Sequence, residues 1–350
     1  MKIFGLKTRK PYPTKLTVDV NTQCNAKCII CPYPQLKNKI RHGVMKWNLY
    51  KKIIDNYAKI CYSNKIMGEL SYCNMSEPTL LPNFPEFVKY ARDKKCFTIY
   101  FNTNGSNLSS KMIDTFIKEK TFPAVHLNIL GFSKTSYEKS MGLDFDNLLN
   151  NLNYLLKKYP HSLIDIGFFT PLMQTDEINQ AESFFKNTKV TLHLGKDISN
   201  RAGNITLPEE LLKNPSPLKK MSFACSKNRP IHRMHINFNG KVYLCDQEMS
   251  MDTDFGNIQD SSIKDIWNGK KINETLKAIY GITPITEPTK IPCLRCTSCI
   301  DRDKIQILDD QKEYKPRKLF GPLKRWFVKN GWAVVRKRGK LAYILPIGRK

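Results

Sequence analysis

The sequence lacks any long uninterrupted apolar run. No stretch approaches the 18 or more apolar residues that a membrane-spanning helix needs. The start, MKIFGLKTRK, places charges where a signal peptide has its apolar segment, so we expect a cytoplasmic protein. No internal repeat and no low-complexity segment beyond a basic tail is visible, so a repeat architecture is not expected. With 41% hydrophobic and 25% charged residues, wholesale disorder is excluded.

Acidic side chains are few: 31 Asp and Glu face 57 Lys and Arg, which gives a net charge of +26. Residues 315–350 contain twelve basic and no acidic side chains, while the other 314 residues carry 45 basic against 31 acidic ones. This balance favours polyanionic partners. The tail mixes its charges with aromatic and aliphatic residues, which suits an anionic membrane surface or RNA. A solvated extension docked on the protein body is the alternative.

Strand and helix patterns alternate along the first 200 residues. Alternating or apolar runs predict strands near 16–20, 68–73, 97–101, 124–129, 162–169 and 190–195, and apolar spacing predicts helices near 49–60, 84–93, 109–119, 143–158 and 176–187. This order predicts an α/β fold with a parallel sheet and right-handed crossovers. Because a full eight-unit barrel needs about 250 residues and only about 200 are available, we expect a partial (β/α)6 TIM-like barrel.

The pattern changes after residue 205. The segment HINFNGKVYLC predicts a β-hairpin that turns at Asn239-Gly240, and a short helix near 262–268 follows. We expect a small C-terminal α+β domain that contains this hairpin. The predicted organisation is a barrel over 12–205, a cysteine-containing domain over 206–305 and a basic tail over 306–350.

Eleven cysteines are unevenly distributed. Without a secretory signal, closely spaced cysteines indicate metal ligands rather than disulfides. Three isolated ones are expected to be small buried hydrophobic residues: Cys61, Cys73 and Cys96. The first group, Cys24-x3-Cys28-x2-Cys31, follows a predicted strand and has no fourth ligand nearby, as a structural zinc site would require. Three thiolates can instead hold three irons of a 4Fe–4S cluster and leave the fourth iron open.

The segment NTQCNAKCIICPYP, with this spacing after the first strand, resembles the radical S-adenosylmethionine (SAM) superfamily. The resemblance implies that Cys24, Cys28 and Cys31 bind the cluster and that the open iron binds the amino and carboxylate groups of SAM. An electron donor such as flavodoxin or ferredoxin would reduce the cluster. SAM would then be cleaved to a 5′-deoxyadenosyl radical, which abstracts a substrate hydrogen. Ile30 occupies a position that is often aromatic in the family and packs near the adenine.

Further family landmarks follow in order. Asn74-Met75-Ser76-Glu77-Pro78 keeps the Glu-Pro of a glycine-rich segment whose backbone meets the methionine amino group. Thr103-Asn104-Gly105 matches the family's Thr-Asn-Gly, and Asn128 stands where a serine is usual and can hydrogen-bond a ribose hydroxyl or the methionine carboxylate. The resemblance thus implies a cofactor-binding set: Ile30, Ser76, Glu77, Thr103, Asn104 and Asn128.

The remaining cysteines, with DTDFGNIQDSSIKDIWNG between them, resemble the SPASM and twitch extensions of radical SAM enzymes. The full SPASM pattern needs seven cysteines and five occur here, so we expect one auxiliary 4Fe–4S cluster. The expected ligands are Cys225, Cys245, Cys293 and Cys296, with Cys299 spare or replacing one of the last two. A zinc site would be satisfied by the same residues.

Two residues beside the second cysteine group are candidates for catalysis. Asp246 follows Cys245 directly, and an aspartate at the matching place acts as a base in sulfatase-maturating relatives. An aspartate beside a cluster also occurs without a catalytic role. A spare thiol at Cys299 could donate a hydrogen atom, as in twitch-type epimerases, or serve as a redundant ligand.

These features together predict a radical SAM oxidoreductase that abstracts hydrogen from a peptide or a sugar-type substrate. Dehydrogenation, epimerisation or cross-linking would follow. One alternative is a radical SAM enzyme that modifies RNA, which only the charge supports. A non-enzyme alternative is a zinc-stabilised nucleic-acid-binding protein.

Overall fold

The computed structural model describes residues 9–72, 76–212, 223–225, 228–280, 282–283, 291–301, 332–337 and 340–346. Its strands are β1 (Lys15–Val18), β2 (Gly68–Tyr72), β3 (Phe97–Thr103), β4 (Ala124–Ile129), β5 (Ile164–Phe169), β6 (Thr191–Gly195), β7 (Phe223–Cys225), β8 (Arg233–Ile236), β9 (Val242–Tyr243), β10 (Cys299–Asp301), β11 (Trp332–Lys337) and β12 (Lys340–Pro346). Its α-helices are α1 (Tyr33–Leu36), α2 (Trp47–Ser63), α3 (Phe84–Asp93), α4 (Ser110–Lys118), α5 (Lys134–Met141), α6 (Phe145–Lys158), α7 (Thr175–Phe185), α8 (Arg229–His232), α9 (Ile263–Asn268) and α10 (Lys270–Ile279).

The main sheet has eight strands in the order β6-β5-β4-β3-β2-β1-β8-β9. All pairs from β6 to β8 are parallel, and β9 runs antiparallel to β8. The sheet is open, because β6 and β9 lie at opposite edges. The predicted partial α/β barrel of six parallel strands is confirmed. The sheet is wider than expected, because β8 joins it beside β1 from far along the chain.

One face of this sheet carries the core. Successive side chains of a strand point to opposite faces, and β3 alternates strictly between buried and half-buried positions. The buried face packs against helices such as α2, whose Tyr50, Ile53 and Tyr57 are fully buried. Fully or almost fully buried strand residues on this face include Leu16, Val18, Leu70, Tyr72, Ile99, Phe101, Val125, Leu127, Ile129, Ile164, Ile166, Met234 and Ile236. The opposite face is polar and is described with the site.

The C-terminal elements are attached to the barrel. The hairpin β8–β9 turns through Asn239 and Gly240, whose φ of 88° suits glycine, so the predicted hairpin is confirmed. The indole of Trp267 on α9 is fully buried, and its Nε1 donates a hydrogen bond of 2.9 Å to the Lys10 carbonyl. The guanidinium of Arg9 lies 3.9 Å from the ring centroid of Trp267. β8 lies beyond residue 205 and yet pairs with β1 in the main sheet. The domain division predicted at residue 205 stays a prediction.

Several local expectations can be compared with the structure. The helix predicted over 143–158 is preceded by a separate helix, α5, which ends at Gly142 in the left-handed conformation (φ 64°). Cys61 and Cys96 are fully buried as expected, whereas Cys73 lies outside the described residues. In the tail, β11 and β12 form an antiparallel pair. No helix in the described part of the chain has the length and apolar character to cross a membrane.

Candidate active site

The first three cysteines lie on one loop that follows β1. All three thiols are free and half-buried. The loop is fixed by backbone hydrogen bonds, among them Lys27 N–H to the Met141 carbonyl (2.7 Å). The Cys24 amide also donates to the Tyr33 hydroxyl at 3.1 Å. Because β1 is parallel to its neighbours, the loop lies at the carboxyl edge of the sheet, where α/β folds bind their ligands.

The three thiols influence one another electrostatically. Burial, together with the neighbouring Glu77 and Cys31, raises the pKa of Cys24 to about 12, although hydrogen bonds from Ala26 and Asn104 oppose the rise. Burial likewise raises the pKa of Cys28, with contributions from Cys31 and Cys24. Thiols bind metal only as thiolates. Because burial disfavours these negative charges, a positively charged group must compensate them. Three converging thiols on one loop are the donor set that a 4Fe–4S cluster with an open iron requires.

Glu77 connects this loop to the ends of two further strands. Its side chain is only 2% exposed. Its Oε1 accepts hydrogen bonds from the Thr79 amide (3.1 Å), the Thr79 hydroxyl (2.6 Å) and the Thr103 hydroxyl (2.8 Å), and its Oε2 accepts from the Asn104 amide (2.7 Å). Its amide donates to the Gln23 carbonyl at 2.8 Å. Burial raises the pKa of Glu77, while these hydrogen bonds oppose the rise. The carboxylate therefore joins the Glu-Pro and Thr-Asn-Gly segments beside the thiol loop.

Replacing Glu77 with alanine should lower the free energy of unfolding by about 3–5 kcal/mol, because several buried donors would lose a charged acceptor. The matched control is Glu69→Ala, which removes a half-exposed ion pair with Lys15 (2.9 Å) and should cost about 1 kcal/mol or less. Urea unfolding of the two variants measures the difference. Equal stability of both variants would contradict the role given to Glu77.

The other predicted cofactor residues occupy different environments. Ser76 Oγ is buried and has no hydrogen-bond partner among the described residues, which leaves it available to a bound ligand. Asn128 is exposed at the end of β4. Ile30 is 9% exposed and packs in the core. Asn104 Nδ2 donates to the Asn25 side chain at 3.0 Å. Contacts between these residues and SAM stay a prediction.

A second group of thiols surrounds a pocket that is partly open to solvent. The four predicted auxiliary ligands line it: Cys225, Cys245, Cys293 and Cys296. All four are buried, and burial raises the pKa of Cys245. The donor set fits an iron–sulfur cluster with four cysteine ligands. Cys299 lies on β10 directly opposite Cys225 on β7, so its alternative role as a ligand stays open. Within the described residues, no three His, Cys, Asp or Glu side chains are arranged around a single metal ion.

Asp246 stands in the sequence between Cys245 and Gln247, which line this pocket, and its carboxylate lies between two arginines. Its Oδ1 is 2.9 Å from Arg229 and its Oδ2 is 3.1 Å from Arg233. Burial alone would raise the pKa of Asp246, but Arg229, His235 and Arg233 lower it below its ordinary value. A carboxylate between two guanidinium groups is a weak base, so a catalytic role for Asp246 stays a prediction. Sequence reasoning missed both arginines, although Arg229-x3-Arg233 stands just before the hairpin.

His235, on β8 between these arginines and β1, provides a pH test. It is fully buried, neither ring nitrogen has a hydrogen-bond partner in the described part of the chain, and burial lowers its pKa to about 3. The pKa of His235 is lower in the folded state than in the unfolded state. The folded state is therefore fully stable above the unfolded-state pKa, and it loses stability as the pH falls below that pKa. The free energy of unfolding should therefore drop by about 2 kcal/mol from pH 7 to pH 5. Measured by urea unfolding, the drop for the His235→Leu variant should be about 2 kcal/mol smaller than for the unaltered protein. The same pH dependence in both proteins would contradict the lowered pKa of His235.

Comparisons with known proteins agree with this geometry. The family model of the radical SAM superfamily matches residues 18–186, and the SPASM model, an iron-sulfur cluster-binding domain, matches residues 225–300. The S-adenosyl-L-methionine-dependent 2-deoxy-scyllo-inosamine dehydrogenase of Niallia circulans is 22% identical over 269 residues, which cover 75% of this chain and 86% of that protein.

Solved structures share the fold. BtrN in complex with AdoMet and 2-DOIA has a TM-score of 0.51 and 18% identity, with 84% of this chain and 95% of that chain covered. The anSMEcpe structure with bound AdoMet has a TM-score of 0.54 and 16% identity, with 87% and 89% covered.

Fold and thiol groups together define an iron–sulfur enzyme that uses SAM. The chain belongs to the radical SAM superfamily and carries a SPASM domain. Its cofactors are a 4Fe–4S cluster, SAM and an auxiliary iron–sulfur cluster. The non-enzyme alternative, a zinc-stabilised nucleic-acid-binding protein, is therefore wrong.

Proposed function

We propose that this enzyme abstracts hydrogen from a peptide or sugar-type substrate, and that the substrate is of the sugar type and undergoes dehydrogenation. The N. circulans relative is named as a dehydrogenase of 2-deoxy-scyllo-inosamine, and this chain covers 86% of its length. BtrN, also similar in fold, was solved with 2-DOIA. Structures solved with peptides are similar too: SuiB with a precursor peptide is covered over 76% of its length, and anSMEcpe with the Cp18Cys peptide over 94%.

The observation that carries the proposal is the polar second face of the sheet. His126 on β4 and His193 on β6 have side chains that are 37% and 62% exposed, and Asp165 on β5 between them is 30% exposed. Asn128 is exposed on the same face, and Tyr100 is half-buried. As a group, these side chains offer both hydrogen-bond donors and hydrogen-bond acceptors, as recognition of hydroxyl groups requires.

The division of roles follows from position. The thiol loop, Glu77 and Thr103 lie at the carboxyl edge of β1, β2 and β3, and Asn128 lies at the same edge on β4. When bound, SAM supplies the radical that abstracts hydrogen. In this proposal, residues of β1–β3 hold and orient the cofactor. On β4–β6, Asn128 and Gly167 lie nearer the carboxyl edge, whereas Asp165 lies one residue from the amino end of β5.

The experiment uses anaerobically reconstituted and reduced protein. Deuterium placed at the carbinol carbons of 2-deoxy-scyllo-inosamine should appear in 5′-deoxyadenosine, and the substrate should become a ketone. A panel of cysteine- and serine-containing peptides tests the alternative. Deuterium transfer from a peptide and from no cyclitol would overturn the sugar-type proposal and favour peptide modification.

Further partners and a location belong to the same proposal. A flavodoxin or ferredoxin would supply the electron, and the enzyme would work in the cytoplasm. The twelve basic side chains of 315–350 suit an anionic membrane surface or RNA. Removing residues 315–350 should leave the clusters intact and weaken binding to anionic vesicles or RNA.

A further inference from the structure

The polar face of the sheet contains a compact group of titratable side chains from three neighbouring strands. His126 on β4 is directly opposite Asp165 on β5 in the strand register, and Asp165 is opposite Thr191 on β6. His126 Nε2 lies 3.1 Å from Asp165 Oδ2, and His193 Nε2 lies 3.8 Å from Asp165 Oδ1. Asp165 therefore lies between two imidazoles.

A notch adjoins this group. Two residues further along β5, Gly167 lies between Asn128 on β4 and His193 on β6. A Cβ atom at Gly167 would lie 3.2 Å from Asn128 Oδ1 and would begin to fill the space in front of that amide. The absence of a side chain at position 167 lets the Asn128 amide approach β5 closely, with His193 on the other side of the glycine.

The chemistry of the group is that of a polyol site. Burial lowers the pKa of His126, so its ring is neutral near pH 7 and can donate through one nitrogen and accept through the other. The Tyr100 ring stacks on His126 at 5.0 Å between centroids and fixes its plane. Neighbouring strands are about 4.8 Å apart, which is comparable with the separation of hydroxyls at positions 1 and 3 of a six-membered ring. The carboxylate of Asp165 also complements an amino substituent.

We infer that Asp165, His193 and Asn128, around the notch at Gly167, form the subsite that binds the hydroxyl or amino groups of a cyclic polyol substrate. This inference rests on the proposed function and assigns its specificity to named residues. His126 is a positioning residue, because it orients the Asp165 carboxylate. The sheet register explains the arrangement: alternate residues of β4, β5 and β6 face the same side, and the strands bring them together from 70 residues of sequence.

The test uses the holoenzyme with both clusters, and its first readout is binding without reductant. Binding of 2-deoxy-scyllo-inosamine is measured by isothermal titration. Asp165→Asn and Gly167→Val should each raise its Kd about tenfold or more, because one removes a charged acceptor and the other fills the notch. The control Asp114→Asn, at a helix carboxylate bound to Tyr154, should change nothing. Iron content and uncoupled SAM cleavage should equal those of the unaltered protein in all three variants.

Turnover separates the possible failures. Under reducing conditions, Asp165→Asn should raise KM far more than it lowers kcat, as expected for a binding residue. If the unaltered protein oxidises the cyclitol and both subsite variants bind and oxidise it equally well, the subsite is wrong and the proposed function stands. If the unaltered protein neither binds nor oxidises a cyclitol and acts on a peptide, the sugar-type function and the subsite both fail.

Discussion

Replacing Cys24, Cys28 and Cys31 together with alanine should abolish reductive cleavage of SAM and remove about four irons per chain. The three thiols lie on one loop and influence one another's pKa, so they form one ligand set. Without them no open iron is available to bind the cofactor. The measurements are 5′-deoxyadenosine formation by reduced protein and iron content after anaerobic reconstitution.

The matched control for this variant is Cys61→Ala combined with Cys96→Ala. These thiols are fully buried in the core and hydrogen-bonded to each other. Their loss should reduce stability without changing iron content or cleavage. Unaltered cleavage in the variant lacking Cys24, Cys28 and Cys31 would refute the assignment of the loop.

Replacing Cys225 and Cys245 with alanine should remove the auxiliary cluster and abolish substrate oxidation, while SAM cleavage in the absence of substrate persists. Both thiols line the second cavity, and neither belongs to the first loop. About four irons should remain, and their spectrum should be that of the first cluster alone.

Conversely, the variant lacking Cys24, Cys28 and Cys31 should keep the auxiliary cluster. Zinc in place of iron in that variant would identify the second cavity as a zinc site.

The sequence predicts the sheet better than it predicts the surroundings of the sites. Alternation within β3 or β5 is a local signal, because every second residue must face the helices. The pairing of β8 with β1 joins segments more than 200 residues apart, and no local periodicity specifies it. The cysteine spacing identifies the first ligand group for a similar reason: ligands that share a loop are constrained by that loop alone. The second group combines thiols from three segments of the chain, and the resemblance to SPASM and twitch extensions predicted it.

For the polar subsite, local sequence patterns can indicate which way each residue faces, but they cannot indicate that the residues lie close together. His126, Asp165 and His193 each stand at a position that faces away from the core, which alternation alone could have indicated. Their proximity depends on strand order and register, which appear only in the folded sheet. Glu77 is similar, since the Glu-Pro resemblance suggests cofactor binding whereas the structure surrounds its carboxylate with donors from two strand ends.

The backbone ladder between β1 and β8 determines how the two thiol groups can move. One group follows β1 directly, and the hairpin that starts with β8 leads to Cys245. Four aligned residue pairs join these strands, so a hinge between the barrel and the hairpin would have to break that ladder. We therefore expect any electron exchange between the two redox centres to take place across a fixed gap instead of waiting for a domain to close. For the same reason, a fragment that ends at residue 205 would expose the free edge of β1 and be prone to aggregation.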